Sequence, residues 1–107
     1  MWLATQHGFY SIVQKDHDLY FIRARVRKDL ENLKALAQLD REVLEWPEAD
    51  YRYRVKVDFE DLLEVLVQLC GALDYPNFKA RVYEREDQAD KLGRYHRFWE
   101  MMADLQG

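Results

Sequence analysis

From Asp50 to Val57 the chain alternates without a break. Tyr51, Tyr53, Val55 and Val57 fall on one side, and Arg52, Arg54 and Lys56 on the other. A two-residue repeat is the signature of a β-strand, whose successive side chains leave opposite faces of the sheet. A strand with one apolar and one charged face needs a core on one side only, which points to an antiparallel or mixed sheet with helices mainly on one face.

Partners for that strand lie upstream. Trp2–Thr5 is short and apolar, and Gln6-His7-Gly8 makes a turn. Phe9–Gln14 is rich in β-branched and aromatic residues, and Leu19–Val26 follows across the polar turn Lys15–Asp18. Two such runs separated by a few polar residues read as a β-hairpin. At Arg27 the period changes: Leu30, Leu33, Leu36 and Ala37 recur three and four residues apart, so an amphipathic helix is expected over 28–38. Residues 39–49 fit neither period, and Pro47 discourages a helix there. Asp58 stands at an N-cap position with Asp61 three residues on, ahead of a helix over 59–73. Apolar residues surround most of that helix, Cys70 among them, which predicts the most buried helix of the fold with Cys70 in its core. Asp74-Tyr75-Pro76 ends it. A short helix over 77–85 and a last one over 88–105, capped by Asp87, complete the chain. Gly93 weakens the last helix and suits close approach of another backbone.

The order β-β-β-α-β-α-α-α bunches strands early and helices late. It predicts an α+β fold with a three- to four-stranded sheet. If strands 19–26 and 50–57 were parallel, their connection would be a right-handed crossover. The length of 107 residues and the absence of Gly-, Ser- or Pro-rich stretches give one domain, 1–107. Glu64 and Gln68 interrupt the run from Leu62 to Leu73, well short of the ~20 residues of a membrane span. No secretory leader is expected, and a single cysteine forms no internal disulfide, so a cytoplasmic location is expected. The net charge of −4 is mild but uneven. Residues 1–38 carry six Lys or Arg against four Asp or Glu, residues 39–74 four against ten, and residues 75–107 six against six.

Placed side by side, the two best strands bring together Phe21, Arg23 and Arg25 with Arg52, Arg54 and Lys56, with Arg27 and Lys28 at the edge. Guanidinium groups grip phosphate and carboxylate in two-pronged geometry, and an aromatic among them stacks a base. The same pattern fits the solvated face of a sheet whose long side chains cover apolar surface with their stems. In that reading Asp16, Asp18, Glu45 or Glu48 neutralises it. On the last helix Tyr95, Trp99 and Met102 form a seam with Leu92, which Phe98, Met101 and Leu105 widen. The stripe suits either packing within the domain or a partner, since Trp, Tyr and Met are typical of interface centres.

Catalytic signals are weak. His17 lies between Asp16 and Asp18 in a turn, and His96 and Glu100 share a helical face. Both sets also suit ordinary surfaces. No Gly-rich phosphate loop, nucleophile elbow or zinc-protease pattern is present, and no cofactor or metal site is expected.

The chain resembles a family of small bacterial proteins to which no activity is attached. The resemblance rests on the opening Met1-Trp2 with Gly8-Phe9-Tyr10-Ser11-Ile12-Val13, on Arg23-Ala24-Arg25 with Asp29-Leu30, and on Asp50-Tyr51-Arg52-Tyr53-Arg54. Asp74-Tyr75 with Asn77-Phe78-Lys79, and Tyr95 with Trp99, complete it. It implies a bacterial, cytoplasmic, stand-alone domain and carries over no catalytic or ligand residue.

Three functions follow as expectations. The first is a non-catalytic binding or accessory module that contacts another protein or a second copy of itself. The second is a nucleic-acid or nucleotide binder using the arginine set with Phe21. The third is a small hydrolase or transferase using His17 or His96 with Glu100.

Overall fold

The apolar and β-branched residues of the first quarter pair into consecutive antiparallel strands, β1 (Trp2–Thr5), β2 (Gly8–Asp16) and β3 (Leu19–Ala24). They are described here from a computed structural model of residues 1–107. Thr5 Oγ1 fixes the first turn by accepting the N–H groups of His7 and Gly8, both at 3.1 Å. Asp18, at φ +53°, takes the left-handed position at the β2–β3 tip. Its carboxylate reaches away to accept the backbone N–H of Phe59 at 2.9 Å.

After α1 (Arg27–Ala37) come β4 (Leu44–Glu45), β5 (Tyr53–Val57) and α2 (Phe59–Gly71). The sheet has five strands in the order β1-β2-β3-β5-β4, every neighbour antiparallel. The fifth strand is the two-residue β4, inside the segment that follows neither period. Because β5 lies antiparallel to β3, the handedness rule for parallel crossovers does not apply.

Helices α1 and α2 cover one face. Tyr10, Ile12, Ile22, Ala24, Val55 and Val57 of the sheet pack with Leu30, Leu33, Leu62 and Val65 of the helices. Each of those Val, Leu and Ile side chains contributes roughly 1.5–3 kcal/mol by leaving water. Asp58 caps α2 by accepting Asp61 N–H at 2.8 Å. Gly8 lies so close to α1 that a Cβ there would meet Asp29 Cβ and Cγ at 2.5 Å.

Helix α2 corrects an expectation. Only Leu62 and Val65 are buried, whereas Phe59, Leu63, Val67 and Cys70 are exposed. A helix lying on a sheet turns one side to it, and this helix has more apolar residues than one side holds. The most buried helix is not α2, and Cys70 is not a core residue.

The chain folds as two compact units, Met1–Leu73 and Asp74–Gly107. The second contains α3 (Phe78–Glu84), capped by Asn77 Oδ1 accepting Ala80 N–H at 2.9 Å. It continues through a 3-10 turn, Ala89–Lys91, into α4 (Leu92–Ala103) and a last 3-10 turn, Asp104–Gln106. The Phe78 and Tyr95 rings join α3 to α4 with centroids 5.1 Å apart. The residues at the N-cap positions of this turn and of α4 are Gln88 and Lys91, neither with a side-chain cap bond, and the Asp87 carboxylate lies 3.4 Å from Arg85 Nε. A Cβ at Gly93 would meet nothing, so no backbone approaches it. No helix is long and apolar enough to cross a membrane.

Candidate functional site

The face of the sheet away from α1 and α2 carries the cations. Antiparallel register sets Arg23 opposite Arg54 and Phe21 opposite Lys56, with Ser11 opposite Arg23 on the other side. Residues paired directly across strands project to the same face. Phe21, Arg23, Arg54 and Lys56 therefore form one cluster, and its long cations crowd around rings. Lys15 Nζ and Lys56 Nζ lie 5.7 and 5.9 Å from the Phe21 centroid.

The turn between β4 and β5 folds over this face. It is closed by Trp46 N–H donating to Arg52 O at 2.7 Å and Ala49 N–H donating to Trp46 O at 3.0 Å. The indole of Trp46 then lies 4.1 Å from the Arg54 guanidinium and edge-on to Phe21. Tyr51 leaves the expected alternation, because β5 begins only at Tyr53. Its ring is buried on the cationic side, 4.6 Å from the Arg23 guanidinium and 4.3 Å from that of Arg25. Arg25 reaches further to donate to Asp50 O at 2.7 Å.

Arg54 is the unusual member. Its residue is 3% exposed. One terminal nitrogen donates to Tyr51 O at 2.6 Å, while its buried Nε–H has no hydrogen-bond partner. Burial, and next the charge of Arg23, draw its pKa below the ordinary value, with Asp50 opposing weakly. Arg23 spends its donors on Ser11, at 2.7 Å to Oγ and 3.5 Å to O. Neither guanidinium forms an ion pair. Arg52, expected among them, does not join: it pairs with Glu45 at 2.7 Å, and that hydrogen bond raises its pKa. The loop covering the cluster was not legible beforehand, since Trp46 lies outside any periodic segment and the alternation assigns Tyr51 to the apolar face.

The second candidate surface is on α4. Tyr95 turns toward Phe78, but Trp99 is 58% exposed, Met101 68% and Leu105 79%, with Phe98 and Met102 about half exposed. The exposed apolar side of α2, at Phe59, Leu63 and Val67, is a further patch. Its signal was an excess of apolar residues around one helix.

The histidine sets resolve into local roles. Asp16 Oδ1 accepts His17 N–H at 2.7 Å, and Asp18 serves Phe59, so both carboxylates face backbone. His96 lies 3.1 Å from Glu100 through Nε2 and 3.1 Å from Lys79 Nζ through Nδ1. A protonated Lys79 only donates, so Nδ1 accepts and Nε2–H donates to Glu100. His96 also stacks on Trp99, over which Lys79 lies at 4.7 Å. No group of three or more His, Cys, Asp or Glu residues is arranged to hold a metal ion.

No protein-family model, curated protein or solved structure matches the chain.

Proposed function

We propose that the protein is a non-catalytic binding module that acts through protein–protein contact, with self-association into a homodimer as its simplest form. The observation that carries this reading is the surface of α4. A twelve-residue helix keeps Phe98 and Met102 about half exposed and Trp99 and Met101 more so, and Leu105 extends the surface past its end. Contiguous apolar surface of this kind is costly in water and marks contact sites. Trp and Met are typical of their buried centres. Within that contact Trp99 is the anchor and Met102 its neighbour one turn on.

Sedimentation velocity across a wide concentration range tests the reading. The expected result is a concentration-dependent dimer, weakened at least about tenfold, or about 1.4 kcal/mol, by Trp99→Glu. Circular dichroism of the same variant checks that the fold is kept. A protein that stays monomeric up to its solubility limit, or a dimer indifferent to both Trp99→Glu and Met102→Lys, overturns it.

A further inference from the structure

We propose that Arg23 and Arg54 form a binding site for the phosphate group of a small phosphorylated ligand, lined by the rings of Tyr51 and Trp46. The inference is independent of what α4 does. It starts from a contrast with four other arginines of the chain. Arg41, Arg52, Arg81 and Arg85 each reach a carboxylate. The cations of the sheet face do not: Arg23 and Arg25 donate to neutral oxygens, and Lys15 and Lys56 stand over Phe21. A chain with 20 acidic and 16 basic residues has acids to spare, yet places none in an ion pair here.

The geometry suits an oxyanion. Two guanidiniums set opposite one another across paired strands repel, and a dianion between them reverses the sign of that interaction. Arg54 supplies an Nε–H that is buried and unpartnered. A buried donor of that kind costs free energy until an acceptor arrives. Guanidinium forks match phosphate oxygens two at a time, and Arg25, also against Tyr51, adds a third positive charge at the rim. Trp46, 43% exposed on its turn, lies against the Arg54 guanidinium at the solvent edge of the cluster. The indole also offers a plane on which a base attached to the phosphate would stack.

The test is titration of the intact protein at low ionic strength with inorganic phosphate, with AMP and with adenosine. Calorimetry gives the affinities, and proton–nitrogen NMR follows the Trp46 indole and Arg54 Nε–H signals, the former assigned with Trp46→Phe. Phosphate and AMP are expected to shift both signals, and Arg23→Met to weaken binding at least tenfold, with Arg94→Met as an unchanged control. Equal affinities for phosphate and AMP support recognition of the phosphate alone, and tighter AMP supports added stacking. Should Arg23→Met fail to fold, Arg25→Met at the rim takes its place with a smaller expected loss, about threefold. The proposal is overturned if neither phosphate nor AMP shifts those signals. It is equally overturned if adenosine binds as well as AMP, or if the folded arginine variants bind like the parent.

Discussion

Replacing Arg54 by methionine asks whether a buried guanidinium holds the fold together or is held there against its own preference. Three terms favour the arginine. Its hydrogen bond to Tyr51 O contributes about 1.5–3 kcal/mol for a charged donor, and its stack on Trp46 about 1–2 kcal/mol. The alkyl stem packs beside Phe21, but methionine replaces that contact. Two terms oppose it. Withdrawing an unpaired guanidinium from water costs several kcal/mol, and Arg23 directly opposite adds up to about 1 kcal/mol of repulsion. The sums nearly cancel, so Arg54→Met is expected to change unfolding free energy by no more than about 1 kcal/mol in either direction. Arg54→Lys keeps the charge but loses the planar stack and presents a more strongly hydrated ammonium, so it should be the worse variant by about 2 kcal/mol. Urea unfolding followed by circular dichroism, in buffer free of phosphate, measures both. A loss above about 3 kcal/mol for Arg54→Met, or a lysine variant more stable than the methionine one, would refute the reasoning and make Arg54 an ordinary structural residue.

Gly8→Ala is expected to cost about 2–4 kcal/mol, because its Cβ would meet Asp29 Cβ at 2.5 Å and no rotamer moves an atom fixed to the α1 backbone. A fall of less than 1 kcal/mol in the same unfolding assay would mean that the β1–β2 turn shifts freely from α1. Asp18→Ala loses both the acceptor of Phe59 N–H and a residue tolerant of φ +53°, for about 2 kcal/mol in all. Asp18→Gly should recover about half of that, and equal losses for the two variants would remove the backbone share of the argument.

Much of the sheet was legible because its physics is local. Alternation in Tyr53–Val57 and in Leu19–Ala24 assigns each residue to a face, and antiparallel pairing then brings Phe21 and Arg23 beside Lys56 and Arg54. Helices α1 and α2 were legible from their period, and α2 also from its Asp58 cap. Three things were not. The side of α2 that stays exposed depends on which side the sheet accepts, and an all-round apolar helix gives no preference. The partner of Arg52 depends on β4, two residues long and too short for a period. The covering of the cationic face depends on a turn whose hydrogen bonds swing Tyr51 out of the alternation.

That last failure bears most on function. An open row of cations on a solvated sheet needs no explanation beyond solubility, since water and salt screen each charge separately. Once Trp46 and Tyr51 lie against the row, screening weakens and the repulsion between Arg23 and Arg54 acts at short range. Stacking on aromatic faces offsets part of that cost but supplies no acceptor for a buried N–H. An acid in contact would relieve such a charge, as Glu45 does for Arg52 nearby. Arg54 has no such neighbour in contact. The buried, unpartnered Nε–H therefore distinguishes Arg54 from the other arginines of the chain, and an incoming oxyanion would satisfy both its charge and its geometry.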